Sequence, residues 1–131
     1  MQTGWTMNIE EIREYCISKK GVTEGFPFND TALVFKVADR MFALLDLSEE
    51  NRGLSLKCDP ELALELRELY PQVTPAYHFN KKHWNGISLK SRLDSKLIKE
   101  WIDHSYQITV SKLTKNIQED LNLNDKKGCP F

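Results

Sequence analysis

Two apolar runs that alternate with a period of two, separated by only two residues, restrict this chain more than any other stretch. Leu33, Phe35 and Val37 fall on one side of an extended segment, and Phe42 and Leu44 fall on one side of the next. Ala38-Asp39 between them leaves room only for a tight hairpin, although it lacks the glycine that two-residue turns favour. Leu54 and Leu56 mark a third short strand beyond the polar loop Ser48 to Arg52.

Helix signals bracket this strand block. Asn8 suits an N-cap, Glu10 and Glu11 suit the positive end of a helix dipole, and Lys19 and Lys20 suit the negative end. Ile9, Ile12 and Cys16 then form one apolar stripe, with Tyr15 at its edge, and Gly21 supplies the stop. Asp59-Pro60 starts a second helix, with Leu62, Leu66 and Leu69 as its buried stripe and Pro71 ending it at Tyr70. Asp94 caps a long final helix running to about Leu113, with Leu97, Trp101 and Ile108 on one side and Ile98 and Ile102 beside them. Trp101 is expected in the core.

Between the last two helices, Val73 to Tyr77 reads as an edge strand, because Pro75 cannot donate to a ladder. Trp84 to Leu89 reads as a fifth strand, in which Gly86 marks a bulge or a close backbone approach rather than a turn. Val22 to Asp30 reads as a loop whose Gly25-Phe26-Pro27-Phe28 segment lies over the core. The order α-βββ-α-ββ-α implies an α+β fold in two layers, one antiparallel sheet with helices packed on one face.

A chain of 131 residues is one domain by the usual prior. Residues 7–118 are expected to form it, residues 1–6 a flexible leader and residues 119–131 a disordered tail. Cys16, Cys58 and Cys129 form no C-x-x-C pair, and their odd number suits free thiols in a reducing cytoplasm. The longest apolar runs, such as Met41 to Leu45, are far short of the roughly 20 residues that span a bilayer, so no membrane association is expected. A net charge of −1 argues against a strong overall grip on nucleic acid but allows a local basic face.

Tyr77 to Leu89 is the most unusual composition in the chain, with aromatic and imidazole rings interleaved with Lys81 and Lys82. One reading is a nucleic-acid contact through Asn80, Lys81, Lys82, His83 and Trp84, extended by Lys90 and Arg92: lysines neutralise phosphates and rings stack on bases. The other is that Trp84 and Tyr77 are core while the lysines solubilise a loop. His78 and His83 have no carboxylate or cysteine at ligand spacing, so no metal is expected. Asp103-His104-Ser105 cannot be a triad on a helix, where successive side chains diverge; His104 or Tyr106 is expected instead to tie the helix down. No phosphate loop or dinucleotide fingerprint is present, and no cofactor or enzymatic activity is expected.

Several segments resemble the MmcQ/YjbR family of small bacterial proteins. They are Asn8-Ile9-Glu10-Glu11-Ile12-Arg13-Glu14-Tyr15-Cys16, Gly25-Phe26-Pro27-Phe28, Val34-Phe35-Lys36-Val37, Met41-Phe42-Ala43-Leu44, Leu56-Lys57-Cys58-Asp59-Pro60, Tyr77-His78, Asn80-Lys81-Lys82-His83-Trp84-Asn85 and Asp103-His104-Ser105-Tyr106. Phe79 and Gly86 depart from the family's usual residues. The resemblance implies an α+β fold like that of type III secretion chaperones, also compared with frataxin, and carries the family's DNA-binding label. Two functions are therefore expected: a nucleic-acid-binding domain, or alternatively a protein-interaction or chaperone-like module using apolar surface.

Overall fold

The computed structural model describes residues 8–48, 52–76, 79–90 and 93–121. Asn8 begins the first helix, α1 (Ile9–Ile17), with a complete capping box: its side chain accepts from the Glu11 N–H at 2.8 Å, and its own N–H donates to the Glu11 carboxylate at 3.0 Å. Ile12 and Cys16 are fully buried from this helix. Gly21, at φ 77°, turns the chain into the sheet.

The sheet has six strands: β1 (Val22–Gly25), β2 (Ala32–Val37), β3 (Arg40–Asp46), β4 (Gly53–Lys57), β5 (Val73–Pro75) and β6 (Trp84–Ser88). Their spatial order is β1-β2-β3-β4-β6-β5, with every neighbouring pair antiparallel. Helix α2 (Pro60–Leu69) follows β4, α3 (Ser95–Ser111) follows β6, and a short α4 (Lys115–Asp120) follows α3. The α+β class with one antiparallel sheet is as the alternation predicts, with β1 and α4 in addition.

Several local expectations change. Val22–Gly25 is not loop but an edge strand; four residues with no clean alternation offer no period to read, and pairing with β2 decides the conformation. Phe26 and Phe28 are exposed, at 49% and 62%, instead of covering the core. Phe42 and Leu44 do not share a face. The ladder pairs Phe35 with Ala43 but Lys36 with Met41, so Phe42 is the extra residue of a bulge. That bulge turns Phe42 to the helix side with Ala43 and Leu45, while Leu44 joins Ala32 and Val34 on the opposite face. On α2, Leu69 is 61% exposed, and the buried positions are Ala63 and Leu66. On α3 the fully buried positions are Ile98, Ile102 and Ser105, with Trp101 also in the core and Leu97 and Ile108 at its margin.

The hairpin Ala38-Asp39 requires left-handed backbone at both residues, φ 52° and 66°, the geometry of the tight two-residue turn that glycine or asparagine would normally occupy. Pro75 sits on an edge strand as expected, since β5 pairs only with β6.

Four successive residues of α3 fasten it in four directions, as the divergence of neighbouring helical side chains requires. Asp103 accepts from the Tyr15 hydroxyl of α1 at 2.7 Å and pairs with Lys19 at 2.5 Å. His104 Nε2 accepts the backbone N–H of Asp59 at 3.2 Å, which identifies the acceptor nitrogen of that ring. Ser105, fully buried, donates to the Phe42 carbonyl at 2.5 Å, and Tyr106 donates to the Lys20 carbonyl at 2.5 Å. The Tyr106 ring also meets Phe42 edge-on, 5.5 Å between centroids.

Candidate functional site at the end of the sheet

The strand registers bring the start of β3, the end of β4 and the start of β6 to the same end of the sheet, on three adjacent strands. Each carries or adjoins basic residues. Arg40 begins β3 directly after the left-handed hairpin. Lys57 ends β4, paired across the ladder with Trp84 of β6. Lys81 and Lys82, both exposed, lie in the turn that leads into β6. Lys112 joins them as the C-cap of α3, where a cation also suits the negative end of the helix.

Arg67 and Asn85 hold that turn from beneath. Asn85 lies on the helix side of β6, only 2% exposed, among residues that are otherwise apolar. Its Oδ1 accepts from Arg67 Nε at 2.7 Å, and its Nδ2 donates to the Ala63 carbonyl at 3.3 Å. Arg67 Nη2 donates in turn to the Lys81 carbonyl and, at 3.3 Å, to that of Trp84. The turn is closed by Asn80, whose side chain accepts the Lys82 N–H at 2.9 Å, and is fastened to β4 by the Cys58 N–H donating to the His83 carbonyl at 2.7 Å. Arg67 is not apparent in the sequence as part of this site; its place in the last turn of an amphipathic helix reads only as a cation suited to the helix dipole.

The predicted site residues divide. Asn80, Lys81, Lys82 and the half-buried His83 form one turn. Trp84 is buried at 7% exposure and stacks on Phe79, with 4.3 Å between ring centroids and 19° between planes, so its face is taken by another side chain. Lys90 lies two residues past the far end of β6, and that strand alone puts roughly 13 Å between it and the turn. Arg92, Tyr77 and His78 lie outside the described residues.

The electrostatics single out Lys57. It is half-buried, and burial is the main reason its ammonium loses its proton more readily than usual; the nearby charges of Lys112 and Arg40 push in the same direction. Among the described residues none of these three cations has a carboxylate paired with it. Elsewhere the pattern is the reverse. Arg13 forks onto Glu24, and that hydrogen bond holds the Glu24 carboxyl below the usual range.

Both described cysteines are buried, free thiols. Burial pushes Cys16 up to about 12 and Cys58 up to about 11, which leaves little thiolate for chemistry near neutrality. Beside Cys58, the gap lined by Leu56, Leu66, Val73, Ile87, Trp101 and His104 has room for about one water. Among the described residues no three His, Cys, Asp or Glu side chains converge as metal ligands, and no helix is long and apolar enough to cross a membrane.

The profile of the family named YjbR matches residues 17–108. The chain is 36% identical over 107 residues to the uncharacterized protein YjbR of Escherichia coli K12, covering 82% of this chain and 91% of that protein. It is 34% identical over 97 residues to the uncharacterized protein YbdF of Escherichia coli O157:H7, covering 72% and 77%. Among solved structures, a Deinococcus radiodurans protein of the domain family DUF419 superposes with a TM-score of 0.83 at 38% identity, covering 93% of this chain and 92% of that one. A Pseudomonas syringae protein superposes with a TM-score of 0.68 at 31% identity, covering 79% and 99%.

Proposed function

The chain belongs to the YjbR family, and from that premise we propose that it is a small non-enzymatic nucleic-acid-binding domain that meets phosphates through the turn from Asn80 to Trp84. The observation that carries this reading is the mounting of the turn: two exposed, adjacent lysines stand on a backbone pinned by Arg67, Asn80 and Cys58. A preorganised backbone loses less conformational freedom when its side chains bind. Trp84, stacked on Phe79, supports the turn and is not offered to a base.

The test is fluorescence anisotropy with a labelled duplex and a labelled single strand, at low and moderate salt. Changing Lys81 and Lys82 together to Ala should weaken binding about equally for all sequences and lower the salt slope by about 1 for each phosphate that is no longer neutralised. Exposed lysines can be removed at little expense in stability, so the variant reports on binding. Absence of binding by the wild type to either strand form at low salt overturns the reading.

One observation favours a second reading, a protein-interaction module. Phe26 and Phe28 are exposed, and Phe26 lines a shallow groove along β1 and β2 with Thr23, Pro27, Val34 and Lys36. Contacts made by these two rings would be apolar and would persist as salt is raised, whereas phosphate contacts weaken steeply.

A further inference from the structure

We propose that Lys57, Arg40 and Lys112 extend the turn into a phosphate-binding row whose ligand is the backbone of a nucleic-acid duplex. This rests on the nucleic-acid reading above and names the rest of its binding surface.

The first argument is position. Arg40, Lys57 and the Lys81-Lys82 turn occupy the ends of β3, β4 and β6, which are consecutive neighbours in the sheet. Strands lie about 4.8 Å apart, so the row is about 10 Å long, and a duplex presents one charge per roughly 1.7 Å of its axis. About three phosphates of one strand therefore fall within a length of this size, as many as the row has cationic strand ends to meet them. Lys112, the C-cap of α3, is near enough for its charge to act on Lys57.

The second argument is energetic. Lys57 is half-buried with two like charges near it and, among the described residues, no carboxylate paired with it. A folded chain normally pairs a partly buried cation, as this one does with Lys19 and Asp103. The helix dipole suits Lys112, and among the described residues no carboxylate pairs with Arg40 or Lys57. A polyanion supplies the missing countercharge for all three.

The third argument selects the duplex. Binding of single strands uses exposed aromatic faces as stacking platforms. Phe79 and Trp84, the rings next to the row, are stacked on each other. Among the described residues the exposed rings, Phe26 and Phe28, follow Gly25, which pairs with Val34 at the opposite end of the β1–β2 ladder from the hairpin. Among the described residues, what remains at the row is charge without an exposed phenyl or indole face, which suits contact with a duplex backbone.

The experiment compares the full chain with the triple variant Arg40→Gln, Lys57→Met, Lys112→Gln by anisotropy on a labelled duplex between about 50 and 200 mM salt. Each phosphate left without its cation lowers the salt slope by about 0.9. Two or three such phosphates then make the variant's binding about 10- to 40-fold less sensitive to that salt change than the wild type's. Amide dispersion in a two-dimensional NMR spectrum establishes that the variant is folded. If it is not, Arg40→Gln with Lys112→Gln, both exposed positions, should still lower the slope by about 2. A folded variant with an unchanged slope overturns this proposal while leaving the Lys81-Lys82 turn in place. A wild type that binds the single strand but not the duplex overturns the duplex assignment. A wild type that binds neither overturns the parent reading together with this one.

Discussion

Replacing Arg67 by Met tests whether the buried pair beneath the Asn80–His83 turn supports the fold there. The change keeps an unbranched stem while removing every donor. Three acceptors lose a partner: Asn85 Oδ1 at 2.7 Å, Trp84 O at 3.3 Å, and the carbonyl of Lys81. Their fates differ. The Trp84 carbonyl keeps the Ala76 N–H at 3.2 Å, and the Lys81 carbonyl belongs to an exposed residue that water can reach. Only Asn85 Oδ1, on a residue 2% exposed, is left without a donor. An orphaned buried acceptor costs about 1–3 kcal/mol, and hydrogen bonds to charged groups contribute about 1.5–3, so the expected loss is about 1.5–3 kcal/mol. Adding Asn85→Leu removes the orphan, and the double variant should recover at least about 1 kcal/mol relative to the sum of the single ones. Urea unfolding at equilibrium measures this as a shift of the midpoint at constant m-value. A loss below about 0.5 kcal/mol, the scale of an ordinary surface substitution, or strict additivity in the cycle, refutes the argument.

Trp101, 8% exposed and edge-on to Tyr70 with 5.2 Å between centroids, should lose about 3–5 kcal/mol on conversion to Ala, and a loss below about 1 kcal/mol in the same assay would contradict its burial. The Arg13–Glu24 pair sets a pH dependence. Because the folded-state value of Glu24 is depressed, its stabilisation is complete above the unfolded value and is lost as pH falls through the folded one. Carbon-detected NMR titration should find Glu24 ionising below ordinary glutamates, and Arg13→Ala should return it towards them; a carboxyl indifferent to Arg13 would dissociate the two.

How far the chain can be read from its residues varies with the kind of signal. Caps are legible, because Asn8, Asp59 and Asp94 act on N–H groups two or three residues away, and each observed cap is of that local kind. The hairpin at Ala38-Asp39 is legible from spacing alone. Its bulge is not, since one extra residue at Phe42 changes faces without changing composition. Leu69 reads as buried because leucine spacing on α2 satisfies two adjacent stripes, and only the position of β6 beneath Ala63 decides between them. The turn at Asn80–His83 stands out by composition. Arg40, Lys57 and Lys112 do not, for they are far apart in sequence and meet only through strand order, which no local pattern encodes.

The four anchors on Asp103 to Tyr106 bear on how the chain matures during synthesis. They reach α1, the start of α2, β3 and the segment after α1, all made earlier. Tyr106 emerges about 18 residues after the end of β6, roughly 1–4 s later at ribosomal rates of about 5–20 residues per second. Through that interval the helix-facing side of the nascent sheet, including Phe35, Phe42 and Leu45, lacks the cover of α3, and the Phe42 carbonyl lacks Ser105. The speed of synthesis while residues 89–106 leave the ribosome thus sets how long the growing polypeptide presents an apolar sheet to its surroundings, and slowing it then should increase capture by holdase chaperones.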